Sequence, residues 1–164
     1  MLRSITTDTP VGAFYMIVDE RDVVRASGFG VLEAVADHLP AALREEMVET
    51  VAQHPYQRAV TAYFKGQQAA LDAIAREQDG SDFQKAVWAA ISRIPYGVTK
   101  TYAELAHDAG YPNAFRAVGT TCGRNRLALL VPCHRVVRGD GLPGKYLYGE
   151  TIKRLLLRDE RLGR

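Results

Sequence analysis

A cysteine stands directly before a histidine at Cys133-His134, within the tetrapeptide Pro132-Cys133-His134-Arg135. Apolar residues flank it, Leu127-Ala128-Leu129-Leu130-Val131 before and Val136-Val137 after. A free cysteine is only a few per cent thiolate at neutral pH and becomes a strong nucleophile when an imidazole takes its proton. Nucleophilic attack by Cys133, with His134 as base, is therefore the first chemistry to consider; an inert buried thiol beside a core histidine is the bland alternative. A carboxylate joins them by spacing. Ile152, Leu155, Leu156, Asp159 and Glu160 fall at i, i+3, i+4, i+7 and i+8, which puts Glu160 on the buried face of the last helix. A buried carboxylate needs a partner.

The elements that must position these residues are sharply written in the second half of the chain. Ser81-x-x-Gln84 is a capping box, followed by Phe83, Ala86, Val87, Ala90, Ile91 and Ile94 in the stripe of an amphipathic helix that Pro95-Tyr96-Gly97 stops. Thr101-x-x-Glu104 reads as a second capping box, opening a helix to about Asp108. After the turn Ala109-Gly110-Tyr111-Pro112 a further helix is expected from about Asn113 to Cys122. Two short helices around a Gly-containing turn fit a helix-turn-helix, a pattern shared with ordinary helical hairpins. On the second helix Ala114, Ala117, Val118, Thr121 and Cys122 form an apolar side, and Arg116, Gly119, Thr120 and Gly123 lie opposite. Glycines on an exposed helix face cost about 1 kcal/mol each relative to alanine. Close approach of a nucleic-acid groove would explain that cost; a C-cap at Gly123 and a packing contact at Gly119 explain it equally well.

The first half is plainer. The turn Thr9-Pro10-Val11-Gly12 precedes a strand over 13–18, Glu20-Arg21-Asp22 turns the chain, and a second strand runs over 23–29. Helical patterns follow over 31–39, 41–53 and 56–64. The fold class read from this order is α+β, with a small N-terminal domain of antiparallel sheet plus helices over residues 1–80 and a mainly helical domain with the helix-turn-helix over 81–164.

Charge divides along the same line. Residues 1–80 hold 7 Lys/Arg against 12 Asp/Glu, and residues 81–164 hold 14 against 7, so net −5 faces net +7. A basic half suits a polyanion, although a solvated basic surface has the same composition. Cys122 and Cys133 lie eleven apart without a CxxC pair, and His38, His54 and His107 are scattered, so neither a metal cluster nor a disulfide scaffold is expected. No apolar run approaches the ~20 residues of a membrane helix, and the N-terminus lacks a signal-peptide core. A cytoplasmic protein with reduced thiols, or a nuclear one in a eukaryote, is the expectation.

In its second half the chain resembles the O6-alkylguanine-DNA alkyltransferases. The likeness runs through Asp82-Phe83-Gln84-x-x-Val87-Trp88, Ile94-Pro95-Tyr96-Gly97, Thr101-Tyr102-x-x-Leu105-Ala106, Arg116-Ala117-Val118-Gly119, Asn125 and Pro132-Cys133-His134-Arg135-Val136. The resemblance implies direct-reversal DNA repair without a cofactor. The protein, as a monomer, binds duplex DNA through the minor groove and flips out O6-alkylguanine, with O4-alkylthymine as a further substrate. Cys133 then takes the alkyl group irreversibly, once per molecule. It further implies His134 as the base acting through a water, Glu160 as the carboxylate supporting the imidazole, and Tyr102 as a hydrogen-bond donor to the flipped guanine. Arg116 would fill the vacated space in the duplex. Gly119, Thr120, Gly123 and Arg126 would meet DNA, and Asn125 would be a structural hinge. Pro132, Tyr146, Leu147, Tyr148, Gly149 and Lys153 would line the alkyl pocket. Arg135 is expected as a buried salt-bridge partner and Trp88 as core.

Two departures stand out. Where the family has a Gly-Tyr-x-Gly-Gly loop, this chain reads Lys145-Tyr146-Leu147-Tyr148-Gly149, a bulkier, more apolar wall that either narrows the expected range of alkyl groups or makes the loop pack differently. Asn125 is followed by Arg126 in place of the customary proline, adding a candidate phosphate contact.

Overall fold

The computed structural model describes residues 1–46 and 48–164. It divides the chain into two compact units. The first comprises 1–78, 126–130 and 163–164; the second comprises 79–125 and 131–162.

The first unit is built on strands β1 (Leu2–Thr9), β2 (Gly12–Val18) and β3 (Val24–Phe29), short helices α1 (Leu32–Ala36) and α2 (Ala41–Arg44), strand β4 (Val48–Val51) and helix α3 (Pro55–Phe64). The sheet order is β3-β2-β1-β4, antiparallel except for the parallel β1–β4 pair. Thr9-Pro10-Val11-Gly12 closes the β1–β2 hairpin, with Thr9 opposite Gly12. Phe14 and Phe29 pack ring to ring at 5.0 Å, and Leu2, Ile17, Ala26, Val35 and Leu39 form a buried cluster.

Two sequence expectations fail here. Strand β1 was not foreseen, because Arg3-Ser4-Ile5-Thr6-Thr7-Asp8 carries little apolar signal; pairing on both edges holds it in the sheet. The helix expected over 41–53 is only α2, and Val48-Glu49-Thr50-Val51 is instead an edge strand aligned with Leu2–Ile5. β-Branched residues at three of those four positions favour a strand once a partner edge exists; residue 47 lies outside the described residues.

Residues 126–130 lie along β3, where Ser27 N–H donates to Arg126 O at 2.9 Å and Ser27 Oγ to Ala128 O at 2.9 Å. The half-buried Arg76 guanidinium donates to the carbonyls of Ile74 (2.9 Å), Leu71 and Leu130, tying this segment down.

In the second unit α4 (Asp82–Ser92) starts at Ser81, whose hydroxyl accepts from Gln84 N–H while the Gln84 side chain accepts from Ser81 N–H. Such a cap is worth about 1 kcal/mol. Trp88 is buried and its indole donates to Thr121 O at 3.2 Å. Helix α5 (Tyr102–Asp108) is capped by Thr101, but the box is only half formed: Thr101 Oγ1 accepts from Glu104 N–H and donates to the Glu104 carboxylate. Helix α6 spans Phe115–Gly123, starting later than expected. Val118 and Thr121 are buried, whereas Ala117, assigned to the apolar side, is exposed. A two-residue parallel pair joins β5 (Lys100–Thr101) to β6 (Val136–Val137). It fixes the segment after Cys133 beside the start of α5. Helix α7 (Glu150–Leu162) buries Lys153, Leu156 and Glu160.

Candidate active site

Cys133, His134 and Arg135 form one 3-10 turn between Pro132 and β6. Tight turning sends successive side chains in different directions. His134 is fully buried, while Cys133 and Arg135 are partly exposed. Backbone contacts brace the turn: Cys133 N–H donates to Val131 O at 2.8 Å and Arg135 N–H to Pro132 O at 2.9 Å.

Glu160 comes to this turn from α7, as its helical position required. His134 Nε2 lies 2.8 Å from Glu160 Oε2, and the Arg135 guanidinium holds both carboxylate oxygens, Nε to Oε1 at 2.8 Å and an Nη to Oε2 at 3.0 Å. Arg135 also donates to Ile94 O at 2.7 Å and lies over the Tyr96 ring at 5.8 Å. It is thus a salt-bridge partner within the unit. Burial works to raise the Glu160 pKa, but the hydrogen bonds from His134 and Arg135 outweigh it and hold the carboxyl well below the ordinary range. Gly97 completes this cradle. Its N–H reaches Glu160 Oε1 at 3.4 Å, its φ is +79°, and a Cβ there would stand 3.3 Å from Glu160 O, so the helix-stopping glycine is also needed for close approach.

Burial pushes the His134 pKa down despite the carboxylate, so the imidazole is neutral near pH 7. With Nε2–H donating to an ionised Glu160, Nδ1 carries the lone pair, and that buried atom has no hydrogen-bond partner within the protein. A neutral, oriented imidazole with an unused lone pair can accept a proton.

Burial also pushes the Cys133 thiol up, with hydrogen bonding from Asn125 and the charge of Lys153 working the other way. Asn125 is buried. Its amide donates to Val131 O at 2.9 Å and to Cys133 Sγ at 3.3 Å, while its backbone N–H donates to Cys122 O at 3.2 Å. It therefore joins the end of α6 to the Cys133 turn. The other thiol, Cys122, is pushed up to about 12 by burial and by Cys133, and remains protonated.

A cavity of about 810 Å³ opens alongside, lined by Tyr102, Gly119, Thr120, Arg138, Leu142, Gly144, Lys145, Tyr146 and Glu150. Burial pushes the Tyr102 phenol up to about 12, so it stays a donor. Its hydroxyl packs on Gly144, where a Cβ would lie 3.3 Å away and φ is +82°. Arg138, Leu142, Gly144 and Glu150 were not singled out in the sequence; the turn-rich run Gly141-Leu142-Pro143-Gly144 was the available signal.

The residues expected in an alkyl pocket are not all placed alike. Tyr146 lines the cavity; its hydroxyl is buried without a partner, and its ring meets Tyr148 at 5.8 Å. Tyr148 is half-buried and pushed up to about 12, by burial first and then by Cys133. Pro132 is buried and Gly149 exposed. Leu147 is 48% exposed and stands outside the cavity. Lys153 is buried, its ammonium donating to Val136 O at 2.7 Å and Lys145 O at 3.2 Å; burial lowers its pKa, and it fastens β6 and the following loop to α7.

Of the residues expected to meet DNA, Arg116, Thr120 and Gly123 are exposed and Gly119 is half-buried against the Tyr102 ring. Arg126 lies in the first unit, its backbone N–H on Gln78 Oε1 at 3.1 Å. Among the described residues no group of three His, Cys, Asp or Glu could hold a metal ion, and no helix is long and apolar enough to cross a membrane.

Comparisons with known proteins show the family and the fold. The family model described as 6-O-methylguanine DNA methyltransferase, DNA binding domain, matches residues 82–162. The methylated-DNA–protein-cysteine methyltransferase of Methanosarcina barkeri is 46% identical over 103 residues, covering 63% of this chain and 65% of that relative. The chain thus matches just under two thirds of the length of this curated relative. The crystal structure of the Mycobacterium tuberculosis O6-methylguanine methyltransferase superposes over 100% of this chain and 95% of its own, with a TM-score of 0.82 and 31% identity. A structure of the M. tuberculosis protein in complex with DNA gives a TM-score of 0.79 at 31% identity, over 99% of this chain and 93% of its own. An α+β fold shared along the whole chain, and a matching domain that contains the Cys133 turn, α6 and Glu160, lead to one conclusion: the chain belongs to the O6-alkylguanine-DNA alkyltransferase, or methylated-DNA–protein-cysteine methyltransferase, family.

Proposed function

We propose that this protein repairs alkylated DNA by direct reversal, moving the alkyl group from O6 of guanine in duplex DNA onto Cys133. The observation that carries the reading is the buried His134–Glu160 pair beside Cys133, with the unused Nδ1 lone pair of a neutral imidazole. His134 accepts the thiol proton, through a water, and Glu160 and Arg135 hold the ring in the required tautomer. The Asn125 amide, at 3.3 Å from Sγ, favours the thiolate as it forms.

The thiolate displaces guanine in one SN2 step: the S–C bond forms as the C–O6 bond breaks, and the electron pair leaves on the purine. Tyr102, held protonated, donates to the departing base and makes it a better leaving group. The thioether is not hydrolysed, so each molecule acts once. The reacting carbon is inaccessible inside the stack, so the nucleotide is extruded into the cavity beside Tyr102. The small face of α6, with Gly119, Thr120 and Gly123, approaches the minor groove, and Arg116 enters the space the guanine leaves. O4-alkylthymine presents the same aryl-ether carbon and is a second substrate. Tyr148, in place of a small residue, restricts long or branched alkyl groups.

Intact-protein mass spectrometry after incubation with duplex DNA carrying O6-methylguanine tests this. One methyl adduct, mapped to Cys133 and absent from Cys133→Ala, is expected. Tight binding without an adduct would make the protein a lesion sensor, and turnover beyond one equivalent would make Cys133 a hydrolase nucleophile.

A further inference from the structure

Two large rings are left in solvent at the start of α6. Tyr111 is 40% and Phe115 50% exposed. Single exposed apolar residues are common and need no explanation, but these two bracket one turn. Tyr111 is pinned edge-on against Phe83, with ring centroids 4.8 Å apart at 77°. Phe115 is the first residue of α6 and immediately precedes the exposed Arg116.

The charge carried by this part of the chain favours one kind of cover. From residue 109 to residue 139 the chain has no aspartate or glutamate; of its five arginines Arg135 is committed to Glu160 and Arg138 to Asp140, while Arg116 on α6 and Arg124 at its end are exposed. An acid-free, arginine-bearing stretch favours a polyanion. Duplex DNA combines phosphate charge with apolar sugar faces and base rings in a groove, and minor-groove proteins wedge Phe, Leu or Ile between base steps to unstack them. Phe115 also contrasts with the small residues that follow it. Gly119, one turn on, is half-buried against the Tyr102 ring, and Thr120 and Gly123 are the small exposed residues of the helix, so Phe115 is the large apolar side chain at its start. It adds reach where the helix enters.

We propose that Phe115 is an apolar wedge. It enters the minor groove beside Arg116 and stacks on the base step next to the extruded guanine, with Tyr111 as a fixed shoulder against the sugars. The proposal rests on the alkyltransferase reading above and adds a stacking residue to it. Arg116 acts through charge and hydrogen bonding in the vacated space; Phe115 acts by dispersion and desolvation on the neighbouring pair. Its contribution should therefore not depend on salt, because no counterion is released.

The test uses the full chain and a duplex with 2-aminopurine beside O6-methylguanine, comparing wild type, Phe115→Ala and Phe115→Trp. For wild type, binding should raise 2-aminopurine fluorescence as the step unstacks. Phe115→Ala should lose that rise and bind at least about fivefold more weakly, the low end of what one aromatic–base stack contributes. Its log Kd against log salt should keep the wild-type slope, and Phe115→Trp should retain affinity and signal. Circular dichroism and the thermal midpoint check that the exposed substitution leaves the fold intact. Wild-type affinity and fluorescence in Phe115→Ala, with normal methyl transfer by the wild type, would overturn the wedge alone. Absence of both lesion binding and methyl transfer in the wild type would overturn the reading beneath it as well.

Discussion

His134 and Glu160, 26 residues apart in the chain, meet through a 2.8 Å hydrogen bond in a site that leaves His134 fully buried and Glu160 4% exposed. Arg135 closes the other side of the same carboxylate at 2.8 and 3.0 Å. One buried anion thus does two things: it orients the imidazole and offsets the guanidinium.

Replacing that anion separates the two effects from catalysis by Cys133 itself. Glu160→Gln leaves Arg135 without its countercharge and gives His134 and Arg135 a single neutral carbonyl oxygen in place of two carboxylate oxygens. Removing one partner of a buried pair costs about 3–5 kcal/mol. Methyl transfer should slow by about 10²-fold or more, as when an orienting acid is lost from a nucleophile–His–acid relay. Single-turnover kinetics and urea unfolding measure both; a variant as stable and as fast as wild type would remove the relay.

Acid should weaken the protein in two stages. Burial holds folded His134 below its ordinary 6.5, so the unfolded chain takes up the proton first and stability declines as pH falls below about 6.5. Glu160 is depressed in the folded state, so its contribution is present above about 4.5 and is lost as pH falls toward its folded value. The transfer rate should also fall only below pH 6.5, where His134 begins to lose its lone pair. Urea titrations and transfer rates between pH 8 and 4 test this, and a stability maximum near pH 5 would contradict it.

Asn125→Ala removes the amide from Val131 O and Cys133 Sγ together. Val131 O keeps its bond from Cys133 N–H, so the loss of one buried hydrogen bond costs about 0.5–1.5 kcal/mol, and the thiolate loses a stabilising donor. Iodoacetamide reactivity of Cys133 against pH should show its apparent pKa moving up; an unchanged value would limit Asn125 to scaffolding.

Cys122→Ser should transfer methyl at a rate close to wild type, because Cys122 remains a thiol at working pH. A dead, folded variant, scored by adduct formation and circular dichroism, would mean that the wrong sulfur has been assigned.

Arg116→Ala should impair repair of duplex DNA at least about tenfold more than reaction with free O6-methylguanine. Its assigned place exists only between paired strands, and bidentate or stacked arginine contacts are worth about 1–3 kcal/mol. Equal losses on both substrates would remove that role.

Much of the site was legible in the chain because its determinants are local. Cys133 and His134 are neighbours, Glu160 follows from helical spacing on α7, and the Ser81 capping box marks the start of α4 in four residues. The hairpin of β2 and β3 was equally plain from alternation and turns. Strands β1 and β4 were not, since Leu2–Ile5 and Val48–Val51 become strands only by pairing with one another across more than forty residues. Propensity cannot report a partner that far away. Nor could spacing reveal that Gly97 yields to the Glu160 backbone, that Gly144 makes room for the Tyr102 hydroxyl, or that Leu147 turns outward while Tyr146 turns in. Residue types determined which atoms are available for chemistry; packing decided their burial and their partners, so that burial sets the protonation states of Cys133 and His134 while hydrogen bonds from His134 and Arg135 keep Glu160 ionised.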